Sequence, residues 1–332
     1  MSKSLIKIKK TVSVVCGVSV VGKKEYEGPL GSKFDIFDCT DKFGQDSFEK
    51  AESEMQRIAL GMAMKKAELN ENDIDVLLAG DLINQCTGSA YGLLDYDIPY
   101  FGIYGACSTA AQGLALGSLL IDGGNFQHAG IVASSHNCTA ERQFRQPLEY
   151  GGQRAPTAQW TATAAGAFIL SAGGDGPYVR EVVIGRTVDK GISDANNMGA
   201  AMAPAAVDTF TRYFKETGKS PSDFDLIVSG DLGKEGSAIV RDFMKKSKIP
   251  FGEEYNDCGL LLYDLQSQDM HAGGSGCGCS GVVTSGYFMN LFESKKIKDM
   301  LIISTGALLS STSTMQGLSI PGVAHLVRLT RI

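Results

Sequence analysis

Short continuous apolar runs alternate along the chain with stretches whose apolar residues recur every three to four positions. This is the pattern of buried strands separated by helices. Thr11 to Val21 is a β-branched run interrupted by Gly17 and predicts a strand, with a loop at Gly28-Pro29-Leu30-Gly31. Phe48, Ala51, Met55, Ile58, Ala59 and Met62 predict a helix, with Asp46 as N-cap and Glu49 at the reach-back position. The methionines of this stripe read as core filling. Asp75 to Ala79 predicts a buried strand that ends in Gly80-Asp81-Leu82-Ile83-Asn84-Gln85. Gly130 to Ser134 predicts another, followed by Ser135-His136-Asn137, and Thr163 to Ser171 a third. Polar residues just past the carboxyl ends of such strands are where open α/β sheets bind ligands. Glu141 to Trp160 has little periodicity and holds Arg142, Arg145, Arg154, Tyr150 and the single tryptophan. A long irregular segment inside a compact domain is usually functional, and otherwise reads as a surface or dimer-contact loop.

The stretch Ile98 to Ala111 organises the rest. Ile98 to Gly105 predicts a short buried strand bounded by Pro99. Ala110, Ala111, Leu114, Leu119 and Leu120 then predict a helix that Ser108 or Thr109 caps. Cys107 therefore sits on a sharp strand-to-helix turn, which presents a side chain at a pocket mouth near unpaired N–H groups. A helix N-terminus also favours thiolate over thiol. Cys107 reads as a nucleophile or a pocket floor, and equally as a small, well-packed buried cysteine.

The second part of the chain repeats the first. Val76 to Leu82 recurs as Leu226 to Leu232, so Asp81 has its counterpart in Asp231. Ala106-Cys107 through Ser134 recurs, without gaps, as Gly276-Cys277 through Ser304. Both copies run strand, turn, helix, strand. The expected architecture is α/β, with two pseudo-symmetric halves, 1–172 and 173–332, and central helices buried back to back between two mixed sheets.

Composition narrows the function. The 332 residues are 43% hydrophobic and 20% charged, enough for one large core or two related halves. Net charge is −6 and no basic run carries interleaved aromatics, so nucleic acid is not an expected partner. Eight scattered cysteines fit a reducing compartment. Cys277-Gly278-Cys279 has no second pair at zinc spacing and reads as packing. Lys3, Lys7, Lys9 and Lys10 before Val12 superficially resemble a signal peptide. The apolar run is short and β-branched, which favours a strand. No apolar segment approaches the ~20 residues of a membrane span. Membrane association would come through partners.

The two-half architecture and the elbow Gly105-Ala106-Cys107-Ser108-Thr109-Ala110 resemble the thiolase and ketoacyl synthase superfamily. Met198-Gly199 followed by Pro204 is similar to that superfamily's loop near the substrate. The resemblance implies a thiolase-like fold in which the elbow cysteine accepts an acyl group with help from histidine. This chain departs from that set. The histidine turn falls on Gly230-Asp231-Leu232-Gly233, the Gly-His or Gly-Asn turn on Gly274-Ser275-Gly276, and the second thiolase cysteine near Ser304-Thr305-Gly306. Of His128, His136, His271 and His325, only His136 and His271 lie near predicted pocket turns in sequence.

A closer match covers nearly the whole chain. Glu141-Arg142-Gln143-Phe144-Arg145, Glu149-Tyr150-Gly151-Gly152-Gln153, Met202-Ala203-Pro204-Ala205-Ala206, Asp257-Cys258-Gly259-Leu260-Leu261 and Ala272-Gly273-Gly274-Ser275-Gly276-Cys277 resemble the stage V sporulation protein AD family. That resemblance implies a non-catalytic thiolase-like protein that binds dipicolinic acid, free or as its calcium salt, and supports its uptake into the developing spore. It implies no cofactor and no resident metal. The implied location is the forespore or spore inner membrane, peripheral through other membrane proteins of the stage V sporulation A operon. A homodimer is a further expectation. Two alternatives stay open: an active acyl-CoA-dependent thiolase or ketoacyl synthase-type acyltransferase using Cys107, and a transport-complex scaffold with a vestigial pocket. The expected ligand-binding residues are Asp81, Asn84, Cys107, His136, Asn137, Arg145, Trp160 and Ser275. Arg142, Arg145 or Arg154 would pair with a carboxylate. Trp160 or Tyr150 would stack on the ring. Asp81 and Asp231 are the oxygen donors nearest a calcium ion arriving with the ligand.

Overall fold

Strands form where the apolar runs predict them. The first half contributes β1 (Leu5–Lys7), β2 (Val12–Val21), β3 (Ile36–Phe37), β4 (Val76–Gly80), β5 (Tyr100–Gly102), β6 (His128–Ser135), β7 (Trp160–Thr161) and β8 (Ala164–Ala172). The second contributes β9 (Tyr178–Val183), β10 (Leu226–Ser229), β11 (Tyr255–Asp257), β12 (Gly274–Ser275), β13 (Asp299–Ala307) and β14 (Gly322–Thr330). The computed structural model describes residues 4–144 and 154–331.

The strand order is β5-β4-β6-β8-β2 in the first half and β11-β10-β13-β14-β9 in the second. The parallel pairs β4–β5 and β4–β6 and the antiparallel pairs β6–β8 and β8–β2 each have their counterpart in the second half. The two mixed half-sheets meet edge to edge where Ser13 lies opposite Tyr178. Strands covered on both faces carry continuous apolar sequence, as β4 and β13 do.

Two central helices pack between the halves. The first is Thr109–Asp122. The second runs through Cys277–Val282, Val283–Phe288 and Met289–Glu293. The first touches β4, β6 and β8 of its own half and β13 and β14 of the other. A Cβ at Gly166 of β8 would lie 2.4 Å from the carbonyl carbon of Gly281, so glycine is what lets the second helix seat on the sheet. Phe48–Lys66 packs outside the first half, and Met198–Thr217 with Gly233–Lys246 outside the second.

Three local expectations are corrected. The N-cap of Phe48–Lys66 is Ser47, whose hydroxyl accepts from Lys50 N, and not Asp46. The strand before the elbow is shorter than expected and exposed: β5 is an edge strand with Tyr100 and Phe101 on the surface. Its aromatic run has a core-like pattern, but β4 covers only one side of it. The Glu141 to Trp160 segment is not irregular at its start, because Glu141 to Phe144 closes the helix Asn137–Phe144.

The repeat is also not gapless. Ala106 and Gly276 both have positive φ, 49° and 98°, so the elbows align at Cys107 and Cys277. Leu78 pairs with Ile131 and Val228 with Ile302, so the strands align one residue further on. The π-helical turn Val283–Phe288 absorbs the extra residue, the usual way a helix takes a single insertion.

Candidate functional site

The elbow is stapled by its own hydroxyls. Thr109 Oγ1 accepts from Gly105 N at 3.2 Å and donates to Ala106 O at 2.7 Å. Ser108 Oγ donates to Gly105 O at 2.6 Å. Ser108 takes the N-cap position, but neither hydroxyl makes a capping hydrogen bond; both fix the left-handed turn at Ala106 that turns Cys107 inward.

Cys107 lies at the floor of a narrow cavity of about 40 Å³. Leu82, Tyr104, Ala140, Phe144, Met198 and Leu309 form its largely apolar walls, and Ala106, Thr161, Ser275 and Ala307 complete the lining. No described lining residue is charged. Gln143 joins one wall to another: its Nε2 donates to Leu82 O and its Oε1 accepts from Asn84 N, both at 2.9 Å. Asn197 caps the helix that presents Met198, accepting from Ala200 N at 3.2 Å.

Beneath the floor the side chains form a chain. Cys107 Sγ lies 3.8 Å from Ser275 Oγ. Ser275 Oγ donates to Asp231 Oδ2 at 3.2 Å, and Gly276 N donates to the same oxygen at 3.0 Å. Thr305 Oγ1 donates to Asp231 Oδ1 at 3.0 Å. Three separate turns thus supply Asp231, Ser275 and Thr305, gathered under one elbow. Burial and the Asp231 carboxyl beside it push the Cys107 thiol well above its ordinary pKa. They override the helix N-terminus that sequence reasoning expected to lower it. Burial first, then the nearby Asp257 carboxylate, raises Asp231 to about 7 against the hydrogen bonds it accepts.

Of the other expected site residues, none that is described lies in the cavity wall. Asp81 is buried behind it and accepts from Ile83 N at 2.8 Å and from Ser89 N and Oγ at 2.7 Å. Asn84 is exposed. His136 turns away, its Nε2 at 2.8 Å from Asp41 O and its ring against Phe48. Asn137 Nδ2 donates to Thr161 O at 3.3 Å and so braces the wall from behind. Trp160 alternates with Thr161 along β7 and faces the other way, between Lys24 and Arg154. Arg142 pairs with Glu49, and Arg154 with Asp269. Arg145 and Tyr150 lie outside the described residues. His271, His128 and His325 bond to Ala155 O, Ser171 Oγ and Gly185 N respectively. Asp81 and Asp231 spend their oxygens on internal donors and offer no free face to calcium.

Sequence reasoning missed Tyr104, Phe144, Thr161 and Leu309, and also a buried polar network behind the elbow. Glu52 accepts from Ser134 Oγ at 2.9 Å and Thr139 Oγ1 at 2.8 Å, and Gln56 Nε2 donates to Ser134 Oγ at 2.7 Å. Burial and the neighbouring Asp81 hold Glu52 toward its neutral form. The available signal was Glu52 and Gln56 four residues apart, beside the apolar stripe of their helix.

Fold and elbow define the class: a protein with a thiolase-like fold. Solved structures agree on the fold. The cerulenin-bound OleA of Xanthomonas campestris matches with a TM-score of 0.62 and 13% identity over 98% of this chain and all of that one. The 3-oxoacyl-[acyl-carrier-protein] synthase III of Aquifex aeolicus VF5 matches with a TM-score of 0.57 and 12% identity, covering 95% and 99%. Within that class, the family model of stage V sporulation protein AD (SpoVAD) matches residues 2–330, and the chain belongs to that family. The stage V sporulation protein AD of Bacillus subtilis (strain 168) is 43% identical over 313 residues, 94% of this chain and 92% of that protein.

Proposed function

We propose that this sporulation protein uses the elbow cavity to bind dipicolinate without acyl transfer, and thereby supports dipicolinate uptake into the forming spore. The observation that carries the reading is the company of Cys107. Its thiol faces Ser275 and a buried carboxyl, while all four histidines are bonded elsewhere. A nucleophilic thiol needs a base or a cation beside it, and a buried acid does the reverse. The walls suit a flat ring, with Tyr104 and Phe144 among apolar side chains. The elbow helix directs its N-terminus at the floor, which favours a carboxylate. Calcium, where it accompanies the ligand, is carried by the ligand's own carboxylates, because Asp81 and Asp231 are already saturated.

The proposal extends to partners. No described helix is long and apolar enough to cross a membrane, so membrane proteins of the same sporulation operon would hold the chain at the spore inner membrane. The exposed edge β5, which carries Tyr100 and Phe101, fits a second copy pairing strand to strand.

Isothermal titration with dipicolinate, with and without calcium, tests the ligand. Saturable binding of one molecule per chain is expected. No binding in either condition would leave the scaffold reading in its place.

A further inference from the structure

Asp231 has no obvious place in a site for a dianion. Its neighbours come from the elements packed on it: Cys107 from the elbow, Thr305 from β13, Ser275 and Gly276 ahead of the second central helix, and Asp257 at the end of β11. Cys258 and Cys279 lie close enough to feel its charge. None of these groups is a cation. Asp257 is itself an acid, held by Ser229 Oγ, Leu232 N and Gly233 N at 2.6, 2.8 and 3.0 Å. An ionised Asp231 under a bound carboxylate would place two like charges in a poorly solvated pocket, which is strongly unfavourable.

Resting on the reading above, we infer that a carboxylate ligand enters this cavity together with one proton, which Asp231 holds and Ser275 relays. With Asp231 neutral, its carboxyl O–H donates upward to Ser275 Oγ. The Ser275 hydroxyl then turns its own proton toward the ligand carboxylate. No covalent bond is made or broken in the protein or ligand beyond this proton uptake from solvent. The arrangement turns Asp231 from a repelling anion into the end of a donor chain.

The sign of the pH dependence follows. Asp231 is raised to about 7 in the empty protein and rises further when the ligand binds. Dipicolinate carboxyls titrate near ordinary carboxylic acids, roughly pH 4, so the ligand stays a dianion across the working range. Above neutral pH the empty protein must gain a proton to bind, and affinity falls about tenfold per pH unit. Below pH 6.5 affinity levels off.

The test is isothermal titration with dipicolinate at pH 6.5, 7.5 and 8.5, in buffers of different ionisation enthalpy. Uptake of close to one proton at pH 8.5 is expected, with affinity about tenfold weaker than at pH 7.5. Asp231→Asn is expected to bind with the same affinity within about twofold at all three pH values, and to exceed the native protein at pH 8.5. Buffer-dependent heats of the native protein decide the matter even if the variant fails to fold. Binding that is flat in pH with no proton uptake overturns the role of Asp231 and leaves dipicolinate binding standing. No binding at any pH overturns both.

Discussion

Replacing Cys107 by leucine is expected to abolish dipicolinate binding in a folded protein, whereas serine is expected to keep affinity within about tenfold, 1.4 kcal/mol. The difference follows from what the side chain does. Cys107 is 5% exposed and packs with Leu82, Ala110, Ala133, Ala140 and Cys277. Serine nearly keeps the size and puts a hydroxyl in place of the thiol, so the cavity floor stays open. Leucine pushes branched methyl groups into the cavity floor and over the Ser275–Asp231 pair. A packed site absorbs such a change at a cost of about 1–3 kcal/mol, which a large double-layered core tolerates. Circular dichroism and thermal unfolding confirm that both variants fold. Equal loss of binding in two folded variants would point to thiol chemistry and revive the enzyme reading.

Gly306→Ala is expected to have the second largest effect, through the backbone. A Cβ on Gly306 would lie 2.2 Å from Gly105 O and 3.2 Å from Ser108 N. Both atoms belong to the turn that aims Cys107, and neither is the end of a flexible side chain. Either β13 or the elbow must move, at about 1–3 kcal/mol in stability. Moving the elbow also separates Cys107 from Ser275. A binding loss of more than about tenfold is expected alongside the lower unfolding temperature, since ~1.4 kcal/mol is already tenfold. Native affinity in this variant would mean that elbow position does not set the site.

The fold was largely legible because its signals are local and repeated. Strands covered on both faces leave unbroken apolar runs, and the Gly-Asp-Leu turn after β4 recurs after β10. The single-residue slip in the second central helix left no mark in the sequence, because a π-turn needs no special residue. The site was legible in part. Cys107 and Ser275 were found because each opens a central helix, and Met198 through a resembling loop. Asp81 and Asp231 look alike in sequence, yet only Asp231 lies under the cavity, since one elbow of the pseudo-symmetric pair faces it while the other is buried. The Cys277 thiol instead donates to Ser134 O at 2.7 Å. His136 was misplaced because a position after a strand end does not say which way the ring turns. Trp160 was misplaced because a two-residue strand reverses neighbouring side chains, so Thr161 took the inward position. Phe144, Tyr104 and Leu309 come from separate segments that only the folded chain brings together.

The account turns on whether Cys107 is a floor or a nucleophile, and intact-mass measurement after incubation with acetyl-CoA addresses that directly. The raised thiol and the acid beside it predict an unmodified chain, with no acetyl group on Cys107 at neutral pH. An acetyl adduct that localises to Cys107 and turns over would contradict the account.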